Sequence, residues 1–267
     1  MRAYLSYFKL RFITSLQYRA AAWAGIATQV FFGFIFIMVY MAFYESGSAK
    51  LPMELPQLIT YIWLNQSLLS LINLFYKDKE LFMLVKKGDL AYELVRPKDL
   101  YFMWYFKIIG QRLAMVILRA IPFVIFLLLL PEPYRISLPE SLPHFLLFLL
   151  TLTTGTFLMT SIIVLYPIIT MRTLNEKGIV QVIVAIADIL SGITVPIPFF
   201  PKFLQVISKC LPFQYVSDLP FRIYVGNINI TSGLYGLLIQ IIWAIAIITI
   251  GYTMMKKSLK RVVVQGG

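Results

Sequence analysis

Residues 21–44 read AAWAGIATQVFFGFIFIMVYMAFY, 24 residues with no charged side chain and with Phe31, Phe32, Phe34 and Phe36 crowding the middle. A helix rises about 1.5 Å per residue and the hydrocarbon core of a bilayer is about 30 Å thick, so about 20 apolar residues suffice to cross it. Inside lipid the backbone must satisfy its own polar groups, which makes this run a membrane-spanning helix. Working outward, comparable runs occupy about 57–76, 113–130, 145–171, 179–199 and 233–255. The expected fold class is an all-α integral membrane protein with six transmembrane helices.

The segments between the runs complete this plan. In residues 1–20, Leu5, Phe8, Phe12 and Leu16 recur at helical spacing with Lys9 and Arg11 on the flanks, which predicts an amphipathic helix on the membrane surface. The same stretch lacks the apolar core and cleavage site of a signal peptide and is expected to belong to the mature protein. Residues 77–100 are too charged to enter lipid. The helix of the third span begins near Tyr101, interrupted by Lys107 and Arg112, and enters lipid around Leu113. After the fifth run, Pro196, Pro198, Pro201, Pro212 and Pro220 forbid a long helix, and an outer re-entrant helical segment is expected between spans five and six. No internal repeat is visible. The expected organisation is one transmembrane domain over 1–267.

Composition agrees. Hydrophobic residues make up 60% and charged residues 13%, with mean hydropathy +0.80, against roughly 45–50% and about 25% in soluble domains. Six spans nearly exhaust 267 residues, leaving no room for a soluble catalytic domain of even about 50 residues. The net charge of +12 follows membrane topology rather than nucleic-acid binding. With both termini inside, the inner side holds four basic residues in the first helix, eight from Lys77 to Arg112, two at Arg172 and Lys177, and four at the C-terminus. These 18 face five outer ones, with Arg119 left in the membrane.

Catalytic constellations are missing. His144 and Cys210 are single, so no histidine cluster, HExxH motif, Ser–His–Asp triad or disulfide framework can be built. Cys210 is expected to be a packing residue. The phosphate-cradling G-x-x-x-x-G-K-[ST] sequence does not occur. Two ionisable residues within spans stand out, because a charge at mid-membrane costs about 2.5–3.5 kcal/mol on insertion scales. Arg119 lies about 9 Å and Asp188 about 14 Å from the inner ends of their spans by helical rise, and an intramembrane ion pair between them is expected. Asp188 lining a substrate route is the alternative. Asn65, Gln66 and Gln240 suit hydrogen bonds between helices. In the inner loop, apolar Leu81, Leu84, Val85, Leu90, Leu94 and Val95 alternate with charges, the pattern of a short helix with a face for a partner.

That loop continues Lys87-Gly88-Asp89-Leu90-Ala91-Tyr92-Glu93-Leu94-Val95-Arg96-Pro97, which resembles the G-x-[IL]-x-x-x-L-[LV]-R-P stretch of permeases in the type 2 ATP-binding-cassette (ABC) exporter family. Leu190-Ser191-Gly192, Pro196, Pro201, Leu211-Pro212-Phe213 and Gly226 resemble that family's LSG, P, P, LPF, G segment, and the order of segments matches over the whole chain. The resemblance implies a multi-pass permease subunit in the cytoplasmic membrane of a prokaryote, with no catalytic residue or cofactor of its own. ATP and Mg would bind separate ABC ATPase subunits, and a second permease, the same or a related chain, would complete the dimer. It implies an ATPase-coupling helix, carried onto Lys86, Lys87, Gly88, Asp89, Leu90, Glu93, Arg96 and Pro97. It also implies that the first, second and fifth spans line the route, placing Phe32, Phe36, Asn65, Gln66 and Asp188 on it. The apolar lining suits a hydrophobic or amphipathic cargo moved outward by alternating access. A proton-coupled secondary transporter using Asp188, or an intramembrane enzyme, is the competing reading.

Overall fold

The computed structural model describes residues 2–47, 51–88, 90–95, 98–173 and 178–260. Among them the chain is helical, without strands. Helices α1 (Arg2–Ser15), α2 (Arg19–Glu45), α3 (Leu55–Ile72), α4 (Lys79–Lys87), α5 (Leu90–Leu94) and α6 (Leu100–Leu128) are followed by α7 (Leu142–Thr173), α8 (Ile179–Leu190), α9 (Lys202–Lys209), α10 (Asp218–Tyr224) and α11 (Ile230–Leu259). Polar caps fix where several of them begin. Asp78, Asp99 and Asn229 accept backbone N–H bonds at the first turns of α4, α6 and α11, and Glu54 with Gln57 forms a capping box on α3.

Four helices, α2, α6, α7 and α11, are long and apolar enough to cross a membrane. The second expected span is the 18-residue α3, and its polarity has a packing explanation. Nearly every residue from Leu58 to Ser67 is buried against the protein, so this helix has little contact with lipid. Trp63, fully buried, anchors it. Its ring lies against Gly33 of α2, where a side chain would collide, and meets Phe34 and Phe123 edge-on at 5.3 and 5.9 Å.

Three expectations are corrected. The fifth span does not run as one helix from 179 to 199. Helix α8 stops at Leu190 after 12 residues, about 18 Å of rise, because Gly192 adopts a left-handed φ of 81° and the chain turns away into a single 3₁₀ turn at Ile197–Phe199. Among the described residues the structure therefore does not supply six uninterrupted spans. The N-terminal helix runs alongside the first half of α6. Leu5 is exposed, and Tyr4, Phe8 and Phe12 face α6 in its place. Tyr4 stacks on Phe106 at 5.8 Å and its hydroxyl accepts the Asp99 N–H. At Gly110 the α1 backbone comes so close that an added Cβ would sit 2.8 Å from the Phe8 carbonyl oxygen. The proline-rich stretch after α8 folds into short helices, of which α10 packs on α7 and α3 while α9 packs on the 3₁₀ turns beside it. Cys210, expected in the core, is exposed.

Candidate functional site

At the basic end of the bundle, the charged loop between α3 and α6 holds two helices, of which α4 is locked to the rest by ionic contacts. Asp78 caps α4 and accepts from Lys107 of α6 at 3.1 Å, with both side chains almost fully buried. Lys107 also meets Glu80 at 2.8 Å, and the other Glu80 oxygen accepts from Arg11 of α1 at 2.7 Å. Burial drives the Glu80 carboxyl upward, but hydrogen bonds and charge from Arg11 and Lys107 outweigh it and hold it below its ordinary value. Burial opposes the Arg11 charge too, and the Glu80 hydrogen bond overrides it to raise the guanidinium. Three elements far apart in sequence thus share one network.

The apolar side of α4, Leu81, Phe82 and Val85, is buried, as is Leu90 of α5. The opposite side presents Met83, Lys86 and Lys87, and Leu94 and Val95 follow as exposed apolar residues. Gly88 ends α4 in the left-handed region, φ 76°. Of the expected coupling residues, Lys86, Lys87, Gly88, Leu90 and Glu93 belong to this unit, while Asp89, Arg96 and Pro97 lie outside the described residues. Above it, buried Arg112 donates to the Ser70 and Asn73 carbonyls at 2.6 and 2.8 Å and covers the Tyr76 ring. It thereby satisfies the free end of α3.

One face of α3 carries a ladder of polar side chains toward the far end. Gln57 donates to the Val225 carbonyl, the Tyr61 hydroxyl lies 2.9 Å from the Gly192 carbonyl and 3.0 Å from Asp218, and Asn65 donates to the Ile193 carbonyl at 2.6 Å. Asp218 also accepts from the Ile197 N–H and Arg222, and Ser217 donates to the Ser191 carbonyl. Burial raises the Asp218 carboxyl above its ordinary value against the pull of Arg222. The Leu190–Gly192 turn is thereby pinned between α3 and α10.

Beside this ladder is a cleft of about 210 Å³. Phe32, Phe36 and Gln66, three of the expected route residues, line it together with Gln29 and Thr194. Asn65 stands behind it, committed to Ile193. Asp188 reaches it only through Thr194, whose hydroxyl donates to the carboxylate at 3.2 Å. Gln29 is buried, and its amide nitrogen and oxygen have no hydrogen-bond partner among the described residues.

The expected Arg119–Asp188 pair is not formed. Arg119 turns toward α2, where its guanidinium packs on Gly25 and reaches the Ala21 carbonyl at 3.5 Å. Depth along two helices had suggested the pair, but the angular position of Arg119 on α6 points it elsewhere. Gln240, expected to bond between helices, does so, donating to the Thr151 and Tyr215 carbonyls. Lys107, Asp78, Glu80 and Arg11 were missed as a site, as were Tyr61 and Asp218. Lys107 had a signal, a cation inside an otherwise apolar helical run.

The family model described as ABC-2 family transporter protein matches residues 34–266. The chain belongs to the ABC-2 transporter family. No curated protein matches it. This ABC-2 protein is accordingly a multi-pass membrane protein and a permease component of an ABC-type transporter. Permeases of the family generally work with an ATPase subunit. Both the α4–α5 unit and the turn at Gly192, on which the resemblance rested, fall inside the matched region.

Proposed function

We propose that this ABC-2 permease exports a hydrophobic or amphipathic molecule by alternating access, driven by ATP hydrolysis on separate ATPase subunits. The observation that carries the reading is the α4–α5 unit. It exposes Met83, Lys86 and Lys87 on α4 and Leu94 and Val95 at the end of α5, and α4 is ionically clamped to α1 and α6. An apolar patch rimmed by charge, on a rigidly mounted helix, suits docking to a partner protein. The basic end then faces the cytoplasm with both chain termini, in accord with the distribution of Lys and Arg.

The route runs through the cleft of Phe32, Phe36, Gln29 and Gln66, whose aromatic rings and carboxamides suit the apolar and polar parts of an amphipathic cargo. Much of the α2 face carrying Phe32, including Phe31, Ile35 and Met38, is exposed and apolar. A second permease subunit packed there would close the route. The membrane is the cytoplasmic membrane of a prokaryote. ATP and Mg belong to the ATPase.

The test is copurification with the ATPase subunit that the proposal requires. Leu94→Glu combined with Val95→Glu is expected to abolish association while leaving the permease's thermal unfolding unchanged. Full retention of the ATPase by that variant would overturn the coupling assignment.

A further inference from the structure

At the end of α11 remote from the basic loops, a cavity of about 530 Å³ opens between α11, α10 and the turn at Phe213–Tyr215. This lies within the roughly 300–1,000 Å³ of small-molecule sites. Its α11 wall is one helical face. Asn229 and Ser232 stand at the first turn, Tyr235 and Gly236 follow a turn deeper, and Ile239 lies deepest. Ten residues of helix make this gradient, from amide and hydroxyl to aliphatic, about 15 Å long. Gly236 leaves the deep part narrow, since a Cβ there would meet Leu219 at 2.7 Å.

The charge of the cavity is one-sided. Lys209 and Arg222 both line it. Lys209 is exposed and meets no carboxylate among the described residues. Arg222 is fixed near the mouth by donating from Nε to Asn227 at 2.8 Å. The one carboxylate in the wall, Asp218, is 2% exposed and already accepts from Tyr61, the Ile197 N–H and Arg222. Arg222 shares its charge with Asp218 at 3.4 Å, so Lys209 is the cation without a carboxylate partner among the described residues, and no solvent-accessible carboxylate opposes the two in the cavity wall. The first N–H groups of the 30-residue α11 add to the positive field.

We propose that this cavity binds an anionic phospholipid, with its phosphate held by Lys209 and Arg222 and an acyl chain descending along Gly236 and Ile239. The polar-to-apolar gradient follows α11 from its end into the bilayer, matching the order of headgroup and chain in a lipid lying beside a span. Tyr235, with an exposed ring about one and a half turns from the helix end, suits the interfacial level where aromatic residues gather. A free phosphate would use the cations and leave the Leu219, Gly236 and Ile239 walls unfilled. The site is separate from the α2–α3 cleft, and it stands whatever the cargo or the direction of transport.

The experiment is native mass spectrometry of the full chain released from nanodiscs of phosphatidylglycerol or phosphatidylcholine. Phosphatidylglycerol is expected to be retained at least tenfold more than phosphatidylcholine. Lys209→Glu should remove most of that preference, and Ser232→Trp, which fills the mouth from an exposed position, should reduce retention of both lipids. Lys202→Glu makes the same charge change on α9 outside the cavity and should leave the preference intact. Soluble glycerol 3-phosphate at millimolar concentration should not displace the lipid. Equal retention of the two lipids, an equal effect of Lys202→Glu, or displacement by glycerol 3-phosphate, which would mark a free-phosphate site, each overturns the proposal.

Discussion

Lys107 is the residue on which the basic end turns, because its ammonium is buried and its two carboxylate partners come from the same short loop. Removing one member of a buried pair strands the other at a cost of about 3–5 kcal/mol. Lys107→Met should therefore destabilise the permease by about 3 kcal/mol. Combining it with Asp78→Asn, which keeps a capping oxygen for α4, should cost less than the two single changes together. Denaturation of the four proteins in one detergent checks the cycle. Glu80 behaves differently because its side chain is 48% exposed, and solvent screens its pairs to about 0.5–1 kcal/mol. Its folded pKa is lowered, so the unfolded chain binds the proton more readily. The contribution is complete above the ordinary glutamate value of about 4.3 and disappears as pH falls through the lower folded value. Thermal stability should thus be insensitive to Glu80→Gln substitution only in strongly acid solution. The gap between wild type and variant should be constant from pH 8 to about pH 5 and close below about pH 4. A gap that widened on acidification would contradict the network.

Among the elements, the turn after α8 shows how much of the fold was legible and where legibility stopped. Hydropathy located α2, α6, α7 and α11 because lipid demands an unbroken apolar run. It overextended α8, since Ile193, Val195 and Ile197 are as apolar as a span while Gly192, with φ 81°, has already turned the chain. It also treated α3 as an ordinary span, although the polar ladder of Gln57, Tyr61 and Asn65 is tolerated because those positions face protein. The candidate site was less visible still. Arg11, Glu80 and Lys107 meet through tertiary packing of three helices, and no local spacing encodes such a meeting. Gly192→Ala is the incisive change at this scale. It places a Cβ 2.8 Å from the Tyr61 hydroxyl and 2.9 Å from the Asp218 Cβ, in a conformation costing about 1 kcal/mol or more for any L side chain. Expected is a loss of about 2–3 kcal/mol, with hydrogen exchange accelerated at Ile193–Ile197 and unchanged in α7. Tyr61→Phe, which removes hydrogen bonds without crowding, should cost about 1–2 kcal/mol and loosen the same segment.

For the whole molecule, the proposed docking unit does not act on a single span. It is joined to α6 through Lys107 and to α1 through Arg11 and Glu80, and α1 is seated directly on α6 at Gly110. From Ser15 the chain passes within a few residues into α2, the helix that carries Phe32 and Phe36 of the cleft. A displacement of α4 by a bound ATPase would therefore reach the cleft along α1 as well as through α6, provided α1 stays in contact. Gly110→Leu tests that route. A side chain at 110 meets the Phe8 carbonyl and the Phe12 N–H, which are backbone atoms unable to swing aside, so α1 must lift from α6. The exposed face of α4–α5, with Leu94 and Val95, is untouched by this change. On the proposed reading, the variant should still copurify with its ATPase in full yield, while ATP-driven export in proteoliposomes falls about tenfold or more, a barrier change of about 1.4 kcal/mol. Export at the wild-type rate with α1 displaced, as reported by loss of a crosslink between cysteines placed at positions 4 and 106, whose rings stack at 5.8 Å in the wild type, would show that α6 alone carries the motion. Loss of ATPase binding would instead place α1 within the docking surface itself.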